Sequence, residues 1–195
     1  MKKILIPLLA LLMSIPLTAQ EKFEVRVGWG GYPFVDEGNF ASSSRYYYPA
    51  YTDPGDLEGI YAPQNGSVYM TGQIYGEFSW HVRKKLTLAG GLYFNGIYGS
   101  VVDPDNLETI RKTRGVSATI LPTVYWYWAN YPKCRFYSGI GLGINMGTYD
   151  GKSLASPALQ LTAIGFTAGK KVFFFAEYGV GTLCLGGKAG LGYRF

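Results

Sequence analysis

The chain is poor in the residues that build metal centres. It holds one histidine, His81, and two distant cysteines, Cys134 and Cys184. The acidic residues Asp103, Asp105 and Glu108 share one stretch but follow no EF-hand ligand order, so a solvated loop is expected there. Neither a metal nor any other cofactor is expected. Charge is also sparse, at 16% of residues, and two units of the formal +5 are Lys2 and Lys3. No basic stripe with a recognisable module is present, which argues against nucleic acid as a partner. Long apolar runs are missing beyond residue 19, which excludes a helical membrane protein.

The run Ile4 to Leu17 is broken by Pro7 and Pro16 and falls short of the ~20 residues of a membrane helix. It follows Lys2 and Lys3 and leads into Leu17-Thr18-Ala19, a small-residue cleavage point, so it reads as a secretory signal peptide. Residues 1–19 are expected to be a cleavable signal and residues 20–195 a single domain. Gln20, not a cysteine, stands directly after the cut, so lipid attachment at a new N-terminus is not supported.

Glycine, at 27 residues, and aromatics, at 16%, are plentiful instead. Eight segments alternate between apolar and small or polar side chains, the period of a strand with two unlike faces. They are Phe23 to Gly30, Val68 to Val82, Leu86 to Tyr98, Val116 to Trp128, Arg135 to Gly147, Ala158 to Ala168, Val172 to Gly181 and Leu185 to Phe195. In the second, Ile74, Phe78, Trp80 and Val82 face outward, with Tyr69, Tyr75, Glu77, Ser79 and His81 inward. Pro122 in the fourth predicts a bulge or a locally missing pair. In the sixth, Leu159 and Leu161 lie opposite Ile164 and Phe166 in parity, so a bulge between them would switch faces. The predicted fold is all-β, an eight-stranded antiparallel up-and-down transmembrane barrel.

The connections Arg83 to Lys85, Ala129 to Cys134 and Gly169 to Lys171 are short, whereas Tyr32 to Ser67 and Ser100 to Arg114 are long. In a bacterial outer membrane short turns face the periplasm and long loops the exterior. Trp80, Trp126, Trp128, Tyr131, Phe136, Tyr193 and Phe195 then form one aromatic girdle, and Trp29, Tyr98 and Tyr178 the other. Cys134 and Cys184 fall at opposite ends of an apolar band of about 25 Å, and a disulfide between them is not expected.

An eight-stranded barrel has an interior filled by side chains, or holds at most one small ligand. Gly139, Gly141 and Gly143 keep period two within a strand, so they make room for Tyr75, Tyr93, Tyr125, Tyr127 and Tyr137 and do not form a nucleotide loop. The inward charges Glu24, Arg26, Glu77, Glu177, Lys188 and Arg194 lie on four consecutive strands once the barrel closes. They are expected to pair, Glu77 near Arg26 and Glu177 near Lys188, as a structural plug; a proton or ion path is the functional alternative. Ser79 and His81 share a face with Glu77, which raises a hydrolase, but no catalytic residue is assigned and His81 is expected to be hydrogen-bonded locally. In the first loop Arg45, Tyr46, Tyr47, Tyr48 and Tyr51 have the interface-favoured composition, either as an extracellular binding site or as packing on the barrel mouth.

The last strand, with Tyr193 and Phe195 on one face, resembles the carboxy-terminal strand of bacterial outer-membrane barrels, which implies that these two residues are read by the barrel-assembly machinery. Phe23 to Phe195 resembles the small barrels of the OmpX and OmpA transmembrane-domain type. More loosely, Gly190-Leu-Gly-Tyr-Arg-Phe195 and Ala176-Glu-Tyr-Gly179 are similar to PorT-like barrel proteins, which are associated with secretion machinery. The resemblance implies a location in the outer membrane, contact with its lipid and lipopolysaccharide, and raises a surface or secretion protein as a partner. The function expected is a non-enzymatic barrel whose loops bind a partner protein, a surface polymer or lipopolysaccharide; a lipid-modifying enzyme and a conduit for a small apolar solute stand as alternatives.

Overall fold

A computed structural model of the chain describes residues 22–41, 64–65, 68–103 and 108–195. Eight long strands dominate: β1 (Phe23–Tyr32), β2 (Gln73–Arg83), β3 (Leu86–Val102), β4 (Thr109–Asn130), β5 (Cys134–Tyr149), β6 (Lys152–Gly169), β7 (Val172–Gly181) and β8 (Leu185–Arg194). Each is antiparallel to its neighbours in sequence, and β8 returns to β1 from Glu24↔Arg194 to Gly30↔Lys188. Backbone bonds between Phe23 and Phe195 finish that seam, at 3.2 and 3.0 Å. The sheet is therefore a closed barrel, and closure removes the exposed edges an open sheet would present.

Alternation decides what each face carries. Ile74, Phe78, Trp80, Leu92, Ile120 and Leu142 stand exposed on the outer wall, while Tyr75, Tyr93, Tyr125, Tyr127 and Tyr137 are buried in the lumen. Outward glycines would leave gaps in a soluble core, but inward ones are required here. A Cβ on Gly139 would lie 2.4 Å from the Tyr125 ring, one on Gly165 2.3 Å from the Tyr137 ring, and one on Gly192 2.2 Å from Phe173. The phenylalanines Phe173 and Phe175 also fill the lumen, by parity with the outward Phe174.

Both irregularities expected from the sequence are present. Between β4 and β5 the ladder passes from Ile120↔Ile144 to Thr123↔Gly141 with the pairs at Leu121 and Pro122 missing and the register unchanged. On β6 the residue Ala163 is extra: Thr162 pairs with Gly179 and Ile164 with Tyr178. That bulge puts Leu161 and Ile164 both on the outer wall and its carbonyl accepts from Ser138 Oγ at 2.6 Å.

Three expectations need correction. Val68 to Val82 is not one strand: Gly72 adopts φ +79°, so Tyr69–Met70 is a separate short segment paired with β3. The break turns Tyr69 outward, where it is exposed, although unbroken alternation would place it inward. Second, Ser100 to Arg114 is largely strand, since β3 runs to Val102 and β4 starts at Thr109, the two paired up to Val102↔Thr109. Third, β5 and β6 extend past Gly147 and before Ala158 to a tight turn at Asp150 and Gly151, both with positive φ, the conformation of a hairpin turn whose twist matches its strands. β3 to β6 consequently rise well above the other four strands at the end opposite the turns Arg83–Leu86 and Gly169–Val172, and the wall is lopsided. Residues 1–19, Arg45, Tyr46, Tyr47, Tyr48 and Tyr51 lie outside the described residues.

A candidate functional site in the barrel lumen

Closure brings all six of the inward charges together. At the short-turn end Glu24 is the hub. Its Oε1 accepts from Arg194 Nε at 2.8 Å and from Arg135 Nη1 at 2.6 Å, and lies 2.7 Å from His81 Nε2. Its Oε2 accepts from Arg26 Nη2 at 3.0 Å. Arg194 spends its remaining donors on the carbonyls of Gly169 and Lys170 and on Thr167, tying the β6–β7 turn to the first strand. Tyr193 beside it is exposed on the outer wall, and its ring lies 6.0 Å from that of Phe195, which in turn stacks on Phe23.

One layer further in, the Arg26 guanidinium donates to Tyr137 and Tyr127 at 3.0 and 2.9 Å, and stands 3.7 Å from Glu77 and 3.4 Å from Glu177. Four rings surround it: Tyr125, Tyr137, Phe173 and Phe175, all within 5.7 Å. Arginine suits such a place, being a weakly hydrated planar cation that stacks as well as it donates. Glu177 accepts from Tyr137 at 2.7 Å and pairs with Lys188 at 2.9 Å. Glu77 accepts from Tyr125 at 2.7 Å and Ser79 at 3.1 Å. The expected pairings, Glu77 with Arg26 and Glu177 with Lys188, are both present, the first as the longer contact.

Arg135 belongs to the same network although it was not singled out from the sequence. The signal was there, since Phe136 faces outward and its neighbour must face in. His81 is held by Thr87 at Nδ1, 2.5 Å, and by Glu24. Ser79 gives its hydroxyl to Glu77. The serine and the histidine are thus engaged by different partners and do not form a nucleophile–base pair of the kind hydrolysis needs.

At the opposite end the chain after β1 turns inward. A short helical segment, Phe34–Asp36, followed by a wide turn at Glu37–Ala41, carries Asp36 into full burial. Its Oδ2 accepts from Asn95 at 2.8 Å and Ser117 at 2.5 Å, and its Oδ1 from Asn145 at 2.8 Å. Three strands, β3, β4 and β5, therefore hold one carboxylate with neutral donors. No strand periodicity marks Asp36, because it sits in a short helical segment beyond the end of β1. Below it Leu183 and Cys184, from the β7–β8 connection, are also fully buried, with Gln73 donating to the Leu183 carbonyl and Cys184 N–H to Gln160. Cys134 and Cys184 are both free thiols.

Between β1 and β2 the ladder ends at Gly30↔Gln73. Beyond it lies a crevice of about 320 Å3 bordered by Trp29, Tyr32, Glu37 and Met70, partly bridged by Trp29 Nε1 donating to the Thr71 carbonyl at 2.9 Å. Among the described residues no group of three or more His, Cys, Asp or Glu is arranged to hold a metal ion. No helix there is long and apolar enough to cross a membrane, which bears only on helices.

No protein-family model matches the chain, and no curated protein matches it. What is shown is the architecture: an eight-stranded antiparallel closed barrel of the kind seen in small outer-membrane barrels.

Proposed function

We propose that this chain is a non-enzymatic bacterial outer-membrane barrel whose lumen is a structural plug and whose function is carried by surfaces outside the lumen, chiefly the loops at the long-loop end. The observation that carries the reading is the lumen itself. Ion pairs, stacked tyrosines and the Asp36 cradle succeed one another along it, as in barrels narrow enough for side chains to fill the interior. The outer wall supports the membrane half of the reading: exposed apolar side chains circle the barrel, with Trp80, Trp126 and Trp128 at one end and Trp29, Tyr98 and Tyr178 at the other, as lipid-facing walls and their girdles require. Kinship with the OmpX, OmpA-domain or PorT-like barrels rests on the terminal-strand pattern and this architecture.

The loop residues Arg45, Tyr46, Tyr47, Tyr48 and Tyr51 remain the candidate contacts for a protein partner, a surface polymer or lipopolysaccharide, because loops on a rigid scaffold are where binding residues concentrate. The test combines fractionation with cross-linking in intact cells. The protein is expected in the outer-membrane fraction, cut by external proteinase within residues 42–63 and spared at Arg83 to Lys85. Cross-links placed in the first loop should capture a partner, and changing Tyr46, Tyr47, Tyr48 and Tyr51 to serine should abolish capture without altering the heat-resistant migration of the barrel. Cleavage only at the short turns would reverse the topology; unchanged capture would remove the loop from the function.

A further inference from the structure

The outer wall of the barrel is not evenly covered. Across β3 to β6 one cross-strand row reads Phe94↔Ala118↔Met146↔Ala155 and the next Gly96↔Val116↔Thr148↔Ser153. Large and small side chains alternate along the first row, so its two alanines leave dents beside Phe94 and Met146, and the second row carries no side chain larger than valine. The dents merge into a groove of about 600 Å3 that also borders Ser117 and Gly147. The groove is shallow and open along the wall, and its outward lining is apolar except at its upper end, where Thr148 and Ser153 are a cross-strand pair.

Directly above, continuing the outward parity of Val116, stand Arg114 and Lys112, both exposed. Neither has an ion-pair partner among the described residues. Arg111, on the opposite face of the same strand, is already engaged by Asp150. The height of the groove matters. From Trp126 to Val116, ~10 residues of β4 at ~3.3 Å each and tilted by ~40° climb roughly 25 Å, the thickness of the apolar band. The groove thus ends where acyl chains give way to headgroups, with two exposed cations in the headgroup layer.

We infer that this face is a lipid-binding site for a phosphorylated, multi-acyl glycolipid of the outer leaflet, its acyl chains in the groove and its phosphates shared between Arg114 and Lys112. The inference rests on the outer-membrane reading above and names a ligand for it. Guanidinium and ammonium donors bind phosphate through charge-assisted hydrogen bonds. The hydroxyls of Thr148, Ser153 and Tyr98 suit the sugar and ester oxygens beside it. A single-phosphate glycerolipid satisfies the cations less completely, and a groove spanning four strands takes more than one chain.

Native mass spectrometry of the purified barrel in detergent tests this with bisphosphorylated hexa-acyl lipid A, monophosphoryl lipid A and phosphatidylglycerol. The wild-type barrel should retain the bisphosphorylated lipid at least roughly tenfold better than phosphatidylglycerol, a preference of the size two basic residues supply. In K112Q/R114Q that ratio should fall to near one with unchanged heat-resistant migration. In A155F, which fills the groove from outside, retention of all three lipids should fall. Equal retention in the wild type, a preference that survives K112Q/R114Q, or unaltered binding in A155F would overturn the proposal, as would a wild-type dimer that A155F disperses, since a second copy would then be the occupant. Fractionation separates this failure from that of the parent reading: a protein found in the outer membrane but without lipid preference sinks only the site.

Discussion

At the scale of single residues, the lumen charges are interdependent because water is excluded from them. Lys188 has Glu177 as its carboxylate partner, 2.9 Å away, and otherwise faces the rings of Tyr75 and Tyr93. Glu177→Gln therefore leaves a buried cation under-paired, which costs about 3–5 kcal/mol in comparable buried pairs. Urea unfolding of the refolded barrel should show that loss, and adding Lys188→Met should recover most of it. A single variant as stable as the wild type would mean that the pair is hydrated. Asp36→Ala removes the acceptor of three buried donors and should cost about 1–3 kcal/mol for groups left unsatisfied. Faster amide exchange confined to the upper parts of β3 to β5 would locate the effect, whereas uniform exchange would show that Asp36 does not hold the plug.

The eight strands depend on small local devices. Ala163 keeps Leu161 and Ile164 on the same wall; without it, every side chain on one side of the bulge changes face. Deleting Ala163 should thus abolish heat-resistant migration, while Ala163→Ser should leave it intact, because the extra residue matters and its side chain does not. Gly139→Val is expected to fail in the same assay, since a Cβ there would lie 2.4 Å from the Tyr125 ring and 3.1 Å from the Val124 carbonyl; folding as in the wild type would show that the lumen can repack there. At the β5–β6 tip the hydrogen bond from Arg111 holds the Asp150 carboxyl below its ordinary range. A lowered carboxyl pKa means that the stabilisation is complete above the ordinary aspartate value and is lost as pH falls through the lowered one. Arg111→Gln at neutral pH should mimic that acid state, with faster exchange at the hairpin tip and an unchanged barrel melting temperature, because the pair is exposed and solvent-screened.

For the molecule as a whole, closure and plugging together predict a protein that folds as one unit and conducts nothing. In planar bilayers the barrel should show no steady conductance, and Glu177→Gln should not open one, because tyrosines and phenylalanines still fill the lumen. A regular conductance altered by that substitution would instead favour an ion path through the Glu77–Arg26–Glu177 layer. The lopsided wall, tall at β3 to β6, also places the crevice on its lower side, beyond the last β1–β2 pair, Gly30↔Gln73.

Much of this was legible in the amino-acid order because a strand's faces are set locally. Period two assigns each side chain to lumen or wall without knowledge of any neighbour, which is why the eight strands, the inward charges, the gap at Pro122 and the face switch near Ala163 could be read from the sequence alone. Local periodicity stops being informative where the backbone leaves it. Gly72, at positive φ, reverses Tyr69, and the short helical segment after β1 delivers Asp36 to donors on three strands far along the chain. Partner choice was likewise beyond the sequence. Glu24 meets Arg194, Arg135 and His81, and Arg26 meets Tyr137 and Tyr127, only because closure converts parity on separate strands into contact across one narrow, water-excluding lumen.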